Sequence, residues 1–111
     1  MSAAGTTAAW KRRALGSTAL LAVVAACATP PKPRELEALE TLRATNQAKL
    51  PEVTKRSPDL IAEADRRSVA AHEEWQSNDL DESRNNALMA QVKLKTAIAL
   101  YDQDQLKSQI Q

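Results

Sequence analysis

The chain contains few cysteine, glycine, histidine and aromatic residues. Its 111 residues include one cysteine, two glycines, one histidine, one tyrosine and no phenylalanine. A single cysteine excludes an internal disulfide, and two glycines are too few for a Gly-rich phosphate loop. A metal motif with two histidines on one helix face is excluded as well. The formal net charge is +1, so neither sign of charge dominates. No stripe of basic residues could neutralise a row of phosphates, and we therefore expect no nucleic-acid partner.

The N-terminal segment has the order of a secretory signal. Lys11, Arg12 and Arg13 form a basic region, and residues 14–26 carry no charge. This apolar stretch is shorter than the roughly 20 residues that a membrane-spanning helix needs. A basic region followed by a short apolar one and small residues is typical of a signal peptide. We therefore predict that residues 1–26 are a signal that is removed.

The end of this signal contains the only cysteine of the chain. Val24, Ala25, Ala26 and Cys27 stand there in that order, and a branched residue followed by Ala-Ala-Cys resembles the lipobox of bacterial lipoproteins. In that family the cysteine sulfur receives diacylglycerol and the chain is cut just before it. The resemblance implies lipidation of Cys27 and a membrane partner through the lipid anchor. One alternative is cleavage by ordinary signal peptidase, which would release a soluble periplasmic protein, and another is an intracellular protein with a chance apolar run.

The residue after the cysteine indicates which membrane would hold the anchor. In the lipoprotein family an aspartate at this position tends to retain the protein in the inner membrane, and this chain has Ala28. The resemblance therefore implies the outer membrane, on its periplasmic face. Three of the 15 basic residues precede Cys27 and all 14 acidic residues follow it, so the mature chain has a net charge of about −2.

The rest of the chain predicts a tether followed by helices. Residues 27–33 are rich in proline, which favours an extended polyproline II tether, with a disordered tail as the alternative. Residues 34–111 contain no glycine and no alternating strand pattern, and helix-forming residues dominate. Helix one is predicted to begin at Pro33 or Arg34 and to be ended or kinked by Pro51. Its apolar stripe comprises Leu36, Leu39, Leu42, Leu50 and Val53.

Two further helices are predicted to pair. Ser57 and Pro58 are start signals for helix two, and Asp79 with Glu82 forms a capping box for helix three. The short connection between them favours an antiparallel hairpin. The expected fold is all-α: a short three-helix bundle, or a tetratricopeptide-like antiparallel helical hairpin with an extra N-terminal helix. The apolar faces are Ile61, Ala64, Ser68, Ala71 and Trp75 on helix two, and Ala87, Ala90, Leu94, Ala97, Ile98 and Tyr101 on helix three.

These motifs resemble a small helical-hairpin family over about residues 34–105. The likeness is carried by Ser57-Pro58-Asp59-Leu60, the stripe up to Trp75, Asn78-Asp79-Leu80, Ala87, Ala90 and Ala97. Members of that family, whose function is unknown, are bacterial envelope lipoproteins that occur alone or ahead of an OmpA-like domain. The OmpA-like domain that would bind peptidoglycan is missing here, so wall binding is not implied.

The side chains give little support for an enzyme. Ser68 and Ser83 have no His or Lys placed to activate them, and the acidic residues around the hairpin lack EF-hand spacing. We expect no catalytic residue, no metal and no cofactor, and we expect His72 to be a lone exposed histidine. Trp75 is expected to anchor the core, with an interface anchor as the alternative.

The sequence therefore predicts a non-enzymatic outer-membrane lipoprotein that presents a small helical bundle in the periplasm as a structural or adaptor element. Leu88, Val92 and Leu106 lie off the main apolar stripe of helix three, which favours a protein partner or self-association. The alternative is a periplasmic binding module for a small ligand or cell-wall fragment. Such a module could be a truncated relative of OmpA-like peptidoglycan-associated lipoproteins.

Overall fold

A computed structural model describes residues 30–110, and within this range every regular element is a helix. Helix α1 spans Arg34–Thr45, α2 spans Leu50–Arg56, α3 spans Pro58–Gln76 and α4 spans Leu80–Ile110. The predicted all-α bundle is confirmed. It contains four helices in the described part of the chain, one more than the three predicted.

The additional helix arises because the first predicted helix is divided in two. Helix α1 begins at Arg34, as predicted, but it ends at Thr45, well before Pro51. At this end the Asn46 side-chain amide donates a hydrogen bond of 2.8 Å to the carbonyl oxygen of Leu42, and such local bonds compete with continuation of a helix. The prediction that Pro51 ends helix one is therefore wrong. Pro51 lies in the first turn of α2, where its missing N–H group costs nothing.

Ser57 joins α2 to α3 through its backbone. Its N–H group donates to the carbonyl oxygen of Val53 at 2.9 Å, and its own carbonyl oxygen accepts from the N–H group of Ile61 at 3.2 Å. Ser57 occupies the predicted N-cap position of α3, but its buried side chain makes no capping hydrogen bond. The backbone of Ser57 is therefore hydrogen-bonded to both helices.

Helices α3 and α4 form the predicted antiparallel hairpin. Asn78 turns the chain with a positive φ of 63°, a conformation that asparagine tolerates better than most residues. The next N–H group, that of Asp79, donates to the carbonyl oxygen of Glu74 at 2.8 Å. Further along the hairpin, the buried hydroxyl of Ser83 donates to the carbonyl oxygen of Ala71 at 2.7 Å. A side chain as short as serine reaches a backbone oxygen of the neighbouring helix only where the two helices lie very close together.

Helix α1 packs against both members of the hairpin. The Gln91 side-chain amide on α4 donates to the carbonyl oxygen of Glu35 at 2.8 Å, and Arg43 on α1 forms an ion pair with Asp65 on α3. Half of the buried apolar residues are alanines, and α1 supplies two of the larger side chains between the helices. The buried apolar core consists of Leu36, Leu39, Val53, Ala64, Ala71, Ala87, Ala90, Leu94, Ala97 and Ile98.

The close contact between α3 and α4 predicts how the bundle responds to a larger side chain. We expect Ala71→Leu to destabilise the protein by about 1–3 kcal/mol, because the added atoms must push the two helices apart. Urea unfolding followed by far-ultraviolet circular dichroism measures the effect. The matched control is Ala62→Leu at an exposed position of the same helix, which should change stability by no more than about 0.5 kcal/mol. Equal effects of the two substitutions would contradict close packing at Ala71.

Candidate functional site

The predicted lipidation site lies outside the described residues. This applies to Cys27 and to the lipobox residues Val24, Ala25 and Ala26, so their roles stay predictions. The described residues begin at Pro30, and Pro33, the last residue before α1, is buried. Two residues of the predicted tether, Lys32 and Pro33, thus belong to the folded unit. Among the described residues, the chain therefore enters the bundle at Lys32 and Pro33.

At this point Lys32 holds the N-terminal segment against α1 and α3. Its ammonium group donates to the two carboxylate oxygens of Glu40 at 3.0 and 3.2 Å. The same ammonium group lies 4.9 Å from the centroid of the Trp75 ring, which is within the range of a cation–π interaction. Trp75 is half-buried and packs against the core, as the sequence predicts. We call Lys32, Glu40, His72 and Trp75 the anchor-end cluster.

His72 takes part in this cluster and is not the exposed histidine that the sequence predicts. Its Nδ1 atom lies 2.8 Å from the carbonyl oxygen of Ser68, and its Nε2 atom lies 3.4 Å from Oε2 of Glu40. A carbonyl oxygen and a carboxylate oxygen both only accept hydrogen bonds. The imidazole therefore satisfies both contacts when both of its nitrogens carry a proton, and it then bridges α3 to α1 through Glu40.

Glu40 is the shared acceptor of the cluster. Partial burial by itself would raise the pKa of its carboxyl group, but the hydrogen bonds and positive charges of Lys32 and His72 outweigh burial and lower the pKa below its ordinary value of 4.5. The carboxylate is thus stabilised in its charged form by the fold. Sequence analysis missed this cluster because its members come from three separate segments, and no local spacing joins them.

A second polar feature is a shallow groove between α3 and α4. It has a volume of about 350 Å³ and is lined by Arg66, Arg67, Ala70 and Asn86. The Arg67 guanidinium donates to the Oδ1 atom of Asn86 at 2.9 Å, and Glu63 lies 3.5 Å from Arg66 and 3.7 Å from Arg67. Guanidinium groups bind carboxylates and phosphates well, so the groove has the chemistry for a small anion, partly offset by Glu63.

The third feature is an apolar strip on the outer face of α4. Leu88, Val92 and Leu106 are 47%, 56% and 60% exposed, so the positions singled out in the sequence do lie outside the core. Ile110 is 85% exposed and Ala99 is exposed as well. Sequence analysis did not group these last two with the exposed positions, although their helical spacing from the other three places them on the same side. We call these five residues the α4 seam.

Two of the acidic residues around the hairpin, Glu74 and Asp81, contact neighbouring side chains. Glu74 accepts a hydrogen bond of 2.5 Å from the Asn86 side-chain amide, and Asp81 lies 3.6 Å from the Arg84 guanidinium. Among residues 30–110, no group of three or more His, Cys, Asp or Glu side chains has the arrangement of a metal site. No helix in the same range has the length and apolarity to cross a membrane.

Comparison of the chain with protein-family models, curated proteins and solved structures finds no match. The resemblance to lipoproteins and to the helical-hairpin family therefore stays a prediction from the residues that carry it.

The lowered pKa of Glu40 predicts a pH-dependent contribution to stability. Because the folded-state pKa lies below the unfolded-state value, the contribution is present above pH 4.5 and is lost as the pH falls through the folded-state pKa. We expect Glu40→Gln to destabilise the protein at pH 7 by a few tenths to about 1 kcal/mol, since the ion pair is partly solvent-exposed. Urea unfolding at a series of pH values should show the difference from wild type shrinking below pH 4.5.

The matched control is Glu37→Gln, which changes an exposed glutamate of the same helix. A Glu40→Gln effect that is the same at pH 7 and at acidic pH would show that the carboxylate charge makes no contribution.

Proposed function

We propose that the chain is a lipid-anchored lipoprotein of the bacterial cell envelope, held at the periplasmic face of the outer membrane, and that it acts there as a non-enzymatic structural or adaptor element. The observation that carries this proposal is the order of the N-terminal segment. A basic region, an uncharged apolar stretch and Val24-Ala25-Ala26 lead directly to Cys27. The position of the only cysteine has no other explanation in the sequence.

The contacts of Lys32 limit how far the bundle could lie from a lipid on Cys27, because Lys32 is bound to Glu40 and Trp75 of the folded part. Residues 28–31 separate Cys27 from Lys32, and a fully extended chain gains at most ~3.5 Å per residue. A lipid on Cys27 would thus hold the anchor-end cluster within roughly 18 Å of the attachment point. Acyl chains contribute ~0.8 kcal/mol for each buried CH₂ group, so two or three chains make a stable anchor.

The polar side chains most suited to chemistry support a structural role. The Ser83 hydroxyl is buried and bonded to a backbone carbonyl oxygen of α3. The His72 ring contacts Ser68 and Glu40 and so connects α3 to α1. These groups hold helices together. The α4 seam, in contrast, exposes large apolar side chains that suit contact with a protein surface.

The anchor is tested by labelling cells with radioactive palmitate and separating their membranes. We expect label in the wild-type chain and none in Cys27→Ala, which should leave the outer-membrane fraction. Ala28→Asp is the matched control: it keeps the cysteine, so it should be labelled but retained in the inner membrane. A purified wild-type protein that begins at Met1, or that carries an unmodified thiol, would refute lipid anchoring.

A binding role is the second candidate, and the groove at Arg66 and Arg67 favours it. Its two guanidinium groups suit a small fragment that carries carboxylates, such as a muropeptide. We expect Arg67→Ala to weaken muropeptide binding at least tenfold in calorimetric titration. Arg84→Ala, which removes a guanidinium outside the groove, should leave binding unchanged. Absence of heat change with the wild-type protein at millimolar muropeptide would remove this candidate.

A further inference from the structure

The five apolar side chains of the α4 seam lie along one narrow face of the helix. At about 100° per residue, Leu88, Val92, Ala99, Leu106 and Ile110 all fall within about 40° of the helix circumference. The core residues of α4, among them Ala90 and Leu94, lie on the other side of the helix. The seam is therefore a second apolar face of α4, and the bundle leaves it uncovered within the described residues.

The spacing along the seam is symmetrical about Ala99. Leu88 and Ile110 each lie 11 residues from Ala99, and Val92 and Leu106 each lie seven residues from it. Two α4 helices in antiparallel orientation, with a twofold axis beside Ala99, would thus place Leu88 against Ile110 and Val92 against Leu106. Every apolar residue of the seam would meet an apolar residue of the other copy. The small side chain of Ala99 would let the helices approach at the axis.

Two charged residues beside those of the α4 seam distinguish an antiparallel helix pair from a parallel one. Lys95 and Asp102 lie on the same strip of α4, one on each side of Ala99, at distances of four and three residues. An antiparallel pair brings Lys95 of each copy against Asp102 of the other. A parallel pair would bring lysine against lysine and aspartate against aspartate, which is unfavourable. Asp102 also accepts from Lys49 of its own chain at 3.0 Å, but its side chain is 49% exposed and remains accessible.

We propose that the α4 seam binds the α4 seam of a second copy of this chain, in an antiparallel homodimer whose twofold axis passes beside Ala99. Such an interface is isologous: the same surface serves both copies, and each contact occurs twice. It does not depend on the lipid anchor. The contact from Leu88 to Ile110 is one helix pair about 34 Å long, which is smaller than standard stable interfaces. We therefore expect reversible association at micromolar concentrations.

Disulfide trapping of the full chain tests the axis. A cysteine at the axis faces its own copy, so oxidation of Ala99→Cys should give a covalent dimer on a non-reducing gel. Ala62→Cys, at an exposed position of α3, controls for random collisions, and the unchanged chain measures any background from Cys27. Repeating the experiment with Cys27→Ser should give the same dimer, because the interface is independent of the anchor. Equal trapping at positions 62 and 99 would overturn the proposal.

The orientation needs a second pair of variants. Leu88→Cys and Ile110→Cys should each crosslink poorly alone, since an antiparallel pair holds like positions far apart, and should crosslink well when the two chains are mixed. Efficient trapping of Leu88→Cys with itself would indicate a parallel pair and overturn the proposed geometry.

A charged residue in the seam tests its contribution to association. We expect Val92→Lys to raise the dimer dissociation constant at least tenfold in sedimentation velocity. The matched control is Val69→Lys on α3, where the wild-type side chain is exposed to nearly the same extent, 58% against 56%; it should leave the constant unchanged. Circular dichroism verifies that both variants are folded. A wild-type protein that stays monomeric at high micromolar concentration, or equal effects of the two lysines, would overturn the proposal.

Discussion

The bundle depends on how closely α3 and α4 approach each other. A core made largely of alanine buries little apolar area per residue, and the free energy gained from burial grows with that area. Such a core gains enough contact only if the helix backbones lie close together, so that alanine methyl groups touch the facing helix. Ser83 fits the same constraint, because its hydroxyl reaches the carbonyl oxygen of Ala71 at 2.7 Å. The short N-terminal helices supply Leu36, Leu39 and Val53 to the core, and α4 supplies the other two larger side chains, Leu94 and Ile98.

The exposed face of α4 follows from the different lengths of the helices. Helix α4 has 31 residues, whereas α3 has 19 and α1 has 12. Shorter helices on one side of a long one can cover only that side, and within residues 30–110 no other helix reaches the last turns of α4. Ion pairs follow α4 as far as Asp104, which binds Arg56 of α2. Beyond that residue Leu106 and Ile110 have large exposed surfaces, so residues 30–110 leave part of the apolar surface of α4 unburied.

The sequence predicts the hairpin well and the N-terminal part less well. Alternating spacings of three and four mark the apolar faces of α3 and α4, and the residues around Asn78 mark the turn, because both signals are local. Helix α1 ends where the Asn46 side chain donates to the carbonyl oxygen of Leu42, a local bond of the kind that competes with continuation of a helix. The anchor-end cluster could not be predicted. Lys32 and Trp75 are far apart in the chain, and the packing of α1 on α3 brings them together.

If the proposed lipid anchor and the proposed dimer both exist, the position of the anchor-end cluster restricts how two copies could share a membrane. Lys32 contacts Trp75 near the end of α3, and the hairpin connection places the first residues of α4 at that same end of the bundle. In an antiparallel pair of α4 helices the two anchor-end clusters would therefore lie toward opposite ends of the dimer. If Cys27 carries the proposed lipid, the lipids on both chains could reach one membrane only with the paired helices along its surface, because an extended chain from Cys27 to Lys32 spans at most roughly 18 Å. If the paired helices were perpendicular to the membrane, one of the two lipid anchors would be too far from it to insert.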